Sequence, residues 1–126
     1  MIHLDTHVVA WLYAGELERI PLTVQARIEA DMLAVSPMVL LELDYLHEIG
    51  RTREGSAAVL AVLEARLDLR VSEAPFPRIA RIAAALSFTR DPFDRLIAAT
   101  AMAEDLPLLT ADRRMLEHCP VAIWDS

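Results

Sequence analysis

MIHLDTHVVAWLYAG, residues 1–15, holds a short apolar run that stops at a carboxylate and a longer apolar stretch of helical period that stops at a glycine. Ile2-His3-Leu4 reads as a strand ending at Asp5. Val8, Val9, Trp11, Leu12 and Tyr13 then share a helix, which Gly15 can close in left-handed backbone. Moving outward, the alternation repeats. Pro21 precedes a helix over Leu22 to Ala30, and Met32-Leu33-Ala34-Val35 reads as a second strand ending at Ser36. Ser36-Pro37 is a helix-capping hydroxyl followed by proline at the first helical position, opening a helix through Val39, Leu40, Leu43, Tyr45, Leu46 and Ile49 to Gly50.

Ser56 to Leu67 reads as a further helix, Leu69-Arg70-Val71 as a third strand and Pro77 to Phe88 as a helix. Asp91-Pro92 begins a helix through Ile97, Ala98, Ala101 and Met102. Pro107 to Thr110 is the fourth strand, Asp112 to His118 a short helix and Val121 to Trp124 the fifth strand. Strands alternating with helical crossovers predict an α/β fold with a parallel sheet covered on both faces.

At 126 residues the chain is the size of one domain, 1–126. Apolar residues make up 55% of it, above the usual share, and the surplus is expected to lie partly in an interface. No apolar run reaches the length of a membrane span, and the start has no basic stretch before a hydrophobic one, so a soluble, cytoplasmic protein without membrane association is expected. Cys119 stands alone and forms no internal disulfide. All twelve basic residues are arginine, which excludes a GxxxxGK phosphate loop, Schiff-base chemistry and a receiver domain with its partner lysine. The three glycines form no dinucleotide fingerprint.

Ligands of parallel sheets bind beyond the carboxyl ends of the strands. Asp5 ends the first strand, Asp112 lies just past the fourth, Asp94 is in the first turn of its helix, and Glu42 lies in the helix leaving the second strand. With the first, second and fourth strands adjacent, these four carboxylates share a crevice. With no lysine among them they repel one another, which calls for a cation. An all-oxygen ligand set favours magnesium or manganese, one or two ions, over zinc. Such an ion lowers the pKa of bound water and steadies charge on phosphate oxygens, which points to phosphodiester hydrolysis with Asp5, Glu42, Asp94 and Asp112 as the catalytic, metal-binding set.

Four segments in order carry a resemblance: LDTH at Leu4 to His7, LLELDYL at Leu40 to Leu46, RDPFDRLIAATA at Arg90 to Ala101, and LLTAD at Leu108 to Asp112. With these the chain resembles PIN-domain ribonucleases of the VapC toxin type. The resemblance gives the same four acids the metal-site roles. It also implies a PIN-like three-layer α/β/α sandwich with a five-stranded sheet of order 3-2-1-4-5, a homodimer, cleavage of single-stranded RNA, and a cognate antitoxin that blocks the site.

Simpler readings compete at several positions. Asp91 precedes Pro92 and is expected to be an N-cap supporting the site, and Asp112 has the same alternative. Thr110 is expected to orient a carboxylate through its hydroxyl. Asp44 is read as surface charge. His7 follows Asp5 too closely in its helix to face it, so packing or dipole roles are expected. His118-Cys119 lacks a partner pair at zinc spacing, and Trp11, Tyr13 and Trp124 are read as packing residues. RNA is an unusual partner for a net charge of -7, so the local charge of Arg90, Arg95, Arg113 and Arg114 is what would hold phosphate, with simple solvation as the alternative. The acidic surface also suits an arginine-bearing antitoxin tail.

Two other functions are weighed. A haloacid-dehalogenase-like phosphohydrolase would use Asp5 as nucleophile, but His7 stands where its second aspartate belongs and its lysine is missing. A non-catalytic interaction module would keep four repelling carboxylates for no purpose.

Overall fold

Asp5 ends one element and starts the next: Oδ1 takes the amide of Thr6 at 2.8 Å, so β1 (Ile2–Leu4) passes directly into α1 (Thr6–Ala14). Gly15, at φ 73, closes α1 in the left-handed conformation. The computed structural model describes residues 1–125. A single 3₁₀ turn, Leu17–Arg19, which no periodicity foretold, leads to α2 (Leu22–Ala30). Then follow β2 (Leu33–Val35), α3 (Pro37–Glu48), α4 (Ser56–Leu67), β3 (Arg70–Val71), α5 (Phe76–Ala84), α6 (Pro92–Ala103), β4 (Leu108–Leu109), α7 (Arg113–His118) and β5 (Ala122–Ile123).

The strands form one parallel sheet of order β3-β2-β1-β4-β5. Right-handed crossovers send the chain first toward β3 and then back toward β5, so α1 to α4 cover one face and α5 to α7 the other. The direction reverses between β1 and β4, and beyond their carboxyl ends lie Asp5 and the Thr110–Asp112 loop. Ile2, Leu4, Leu108 and Leu109 are fully buried beneath this edge. Their continuous apolar pattern is that of a sheet with both faces covered.

Several boundaries depart from expectation. The helix expected over Pro77 to Phe88 stops at Ala84, where Leu86 and Ser87 take turn-type bonds to Ala83 and Ala85, and Phe88 turns inward against the core and stacks on His118. The fourth and fifth strands keep only two ladder residues each. Pro107, lacking an N–H, contributes only its carbonyl, to His3 N.

His3, wholly buried on β1, meets Glu104 Oε1 through Nε2 at 2.6 Å, and the same oxygen accepts from Ser72 Oγ. Burial pushes the His3 imidazole below its usual pKa, outweighing the nearby carboxylate. The neutral ring thus staples the central strand to the end of α6 and the exit of β3. One turn before Glu104, Thr100 Oγ1 donates to Ser36 Oγ at the start of α3, and Phe93 at the start of α6 packs on Tyr45, so α3 and α6 lie side by side.

Candidate active site

A carboxylate buried as deeply as Asp5, 3% exposed, needs partners for both oxygens. Oδ1 has the Thr6 amide, and Oδ2 accepts from Thr110 Oγ1 at 2.7 Å. The Thr110 oxygen in turn accepts from the Asp112 amide at 3.0 Å, so one hydroxyl links the acids after β1 and β4. Glu42 reaches in from α3, where its Oε1 accepts from Thr6 Oγ1. Thr6 was missed in the sequence. Its only signal was a hydroxyl directly after Asp5, and nothing in the spacing announces a partner 36 residues away.

Asp91 is the N-cap of α6, its Oδ1 accepting from Phe93 N at 2.8 Å and from Asp94 N at 3.4 Å. Asp94, in the first turn, has no hydrogen-bond partner for its carboxyl among the described residues and lines the crevice. Asp112 is the N-cap of α7: Oδ1 accepts from Arg114 N and Met115 N. The simpler reading of Asp112 therefore describes one of its oxygens, and Oδ2 remains for the crevice.

The electrostatics tie these acids together. Burial, then the charges of Asp91, Asp5, Asp112 and Glu42, push the Asp94 carboxyl up to about 7. Glu42 is also raised, chiefly by burial and further by Asp5 and Asp91, against a hydrogen bond from Thr6 that pulls it down. Asp94 and Glu42 therefore sit in a negative field that nothing among the described residues neutralises. The carboxylates stand apart: among the described residues no three acidic, histidine or cysteine side chains close around a point where an ion could be wrapped by protein alone.

A cleft of about 510 Å³ opens on Asp94 and Asp112 and is walled by Arg113, Arg114, Glu117 and His118. Arg90, Arg113 and Arg114 are exposed, whereas Arg95 is turned back, its Nε donating to Thr89 O at 2.7 Å to brace the loop before α6.

Two expectations are corrected. Asp44 is not idle surface charge, because its carboxylate accepts from Ser56 N and Ser56 Oγ at 2.7 and 2.8 Å and so anchors the start of α4. His7 does face Asp5: Nε2 accepts from Ala111 N at 2.8 Å, which swings the ring so that Nδ1 lies 3.7 Å from Asp5 Oδ2. Helical spacing could not show this, since the bond comes from a loop 104 residues away. Trp11 and Trp124 both pack against the ring, with centroids at 5.0 and 6.4 Å.

The PIN-domain family model matches residues 2–119. Ribonuclease VapC22 of Mycobacterium tuberculosis (strain ATCC 25618 / H37Rv) is 37% identical over 127 residues, covering 96% of each chain. Among solved structures, VapBC2 from Rickettsia felis, bound to a DNA fragment from its promoter, superposes with TM-score 0.67 at 23% identity over 99% of this chain and 100% of that one. A toxin–antitoxin complex from Klebsiella pneumoniae gives 0.64 at 17% identity over 98% of this chain and 96% of that one. The likeness to these two structures is one of fold.

Proposed function

Because the chain belongs to the PIN-domain family, as a VapC-type member, we propose that it is a divalent-metal-dependent endoribonuclease that cuts single-stranded RNA. The observation that carries this reading is the Asp94 carboxyl, raised to about 7 within the fields of Asp91, Asp5, Asp112 and Glu42. Such a cluster is costly as it stands and favourable around a cation. Magnesium keeps several waters and needs only one or two carboxylates directly, so it suits acids that stand apart. Manganese, with the same preference for oxygen, is the natural substitute.

In this reading Asp5, Glu42, Asp94 and Asp112 hold the ion or ions. The ion would supply a water of lowered pKa and neutralise charge on the scissile phosphate. The chain's own groups do the rest. Thr6 and Thr110 fix the directions of Glu42 and Asp5 before any ion arrives. Asp94, its carboxyl raised to about 7, would have to be ionised to serve as a ligand, and an ion held there would favour that form. Arg113 and Arg114, on the wall of the cleft, take the flanking phosphates through their planar forks.

A toxin of this kind would be held in check by a cognate antitoxin, and a net charge of -7 favours a basic inhibitory tail. The half-exposed apolar stripe of Leu41 and Tyr45 on α3 and Ile49 at its C-cap supports a homodimer, which sedimentation at micromolar concentration should show at twice 14.1 kDa. No helix among the described residues is long and apolar enough to cross a membrane, in keeping with a cytoplasmic site of action.

The decisive experiment is cleavage of a single-stranded RNA by purified, antitoxin-free protein with magnesium or manganese, with and without chelator. Cleavage that chelator abolishes is expected. Equal cleavage in excess chelator would remove the metal from the mechanism.

A further inference from the structure

Resting on the reading of this crevice as a metal-dependent nuclease site, we infer that His7 is a positioning residue, a neutral imidazole that clips the Asp112 loop to the Asp5 helix. Its chemistry is set by one bond. The Ala111 amide can only donate, so Nε2, which receives it at 2.8 Å, must be the bare nitrogen. The ring proton then resides on Nδ1, the nitrogen that lies 3.7 Å from Asp5 Oδ2. At that distance there is no direct hydrogen bond, but the N–H dipole points positive charge at the carboxylate.

The mechanical consequence follows from where Ala111 sits. It lies between Thr110, whose hydroxyl donates to Asp5 Oδ2, and Asp112, whose amide donates to that same hydroxyl. His7 and Thr110 thus hold the loop at two adjacent points against α1, and between them they fix the spacing of Asp5 and Asp112. Trp11, Trp124 and the imidazole form a three-ring cluster, the two indoles 6.1 Å apart and 5.0 and 6.4 Å from the His7 ring, and this packing steadies the ring. The protein thereby holds the two strand-end acids in place ahead of the ion.

Two substitutions separate positioning from packing. His7→Phe keeps a ring against the tryptophans and loses the acceptor, whereas His7→Gln offers Ala111 a carbonyl at similar reach. The first readout needs neither metal nor RNA: nitrogen NMR of the metal-free wild type should show Nε2 bare and Nδ1 protonated, and the Ala111 amide should shift in His7→Phe but much less in His7→Gln. The second is manganese affinity by calorimetry, where His7→Phe should bind about tenfold or more weakly and His7→Gln within about threefold of wild type, as supporting groups around a metal site do. A proton on Nε2 in the wild type, or unchanged manganese affinity in His7→Phe, would overturn the inference. If the affinities shift as stated while the wild type cuts no RNA, His7 keeps its place and the ribonuclease reading fails instead.

Discussion

Asp91 and Asp94, three residues apart, show how one turn of helix divides its labour. Asp91 spends an oxygen on the backbone amides of α6, while Asp94 carries the strain of the cluster. The raised Asp94 pKa has a definite consequence for stability. The unfolded chain releases this proton near its ordinary value of 3.8, the native protein only at about 7. Between those values the native state binds the extra proton, so this group's contribution to metal-free stability is full below pH 4 and is lost as pH rises toward 7. The carboxyl is only half buried, and solvent screening reduces the effect to about 1 kcal/mol. Thermal melts of metal-free protein should therefore show Asp94→Asn gaining on the wild type at pH 7 relative to pH 4. The same variant should lose RNA cleavage by on the order of 100-fold or more, and the magnesium-induced rise in Tm should largely disappear. Asp91→Ala should cost about 1 kcal/mol as a lost cap while the magnesium-induced rise persists. Asp94→Asn that retains both the rise and the cleavage would move the metal role to Asp91. These acids could be read from the chain because strand ends and helix starts are local features. The contacts of Thr6 and His7 could not, because each is completed by a residue far away in sequence whose approach leaves no periodic mark.

The elements carry a second lesson in the turn between α3 and α4. The sequence placed both helices closely, α4 to the residue, because capping and helical period are written locally. What joins them was not visible: Asp44 reaches across to Ser56, and Gly55 has no side chain because the Asp44 carboxylate occupies its place. A Cβ at Gly55 would stand 2.7 Å from Asp44 Oδ1. The backbone of Gly55, at φ -91, is open to any residue, so the constraint is space alone. Asp44→Ala should lower Tm by a few degrees without touching RNA cleavage, and Gly55→Ala should do likewise. The double variant should lose less than the two single losses combined, since the added methyl no longer meets a carboxylate. Strictly additive melting shifts would show that the two residues act separately. The early stop of α5 belongs to the same scale: apolar spacing continued to Phe88, but the side chain was needed in the core rather than on the helix, and tertiary packing prevailed over period.

For the whole molecule, the sheet order is what turns scattered acids into one crevice. Order 3-2-1-4-5 was implied by the resemblance rather than read from any spacing, and only with β1 beside β4 do Asp5 and Asp112 become neighbours. The same assembly answers how a chain of net charge -7 can hold RNA. Phosphate binding depends on the charges within reach of the strand, because charges beyond about 10 Å are screened at ordinary salt. Arg113 and Arg114 are exposed on the cleft that opens at Asp94 and Asp112, and among the described residues neither is engaged in an ion pair. If each contacts one phosphate of a single strand, each accounts for about 0.7 in the slope of log affinity against log salt. Binding of a short RNA to the catalytically silent Asp94→Asn protein should therefore weaken with salt, and adding Arg113→Ala and Arg114→Ala should flatten that slope by about 1.4 in all. Arg95→Ala should instead lower Tm and leave the slope as it was, since its Nε is committed to the Thr89 carbonyl. A slope unmoved by loss of Arg113 and Arg114 would place the RNA track elsewhere on the surface, with exposed Arg90 the next residue to test.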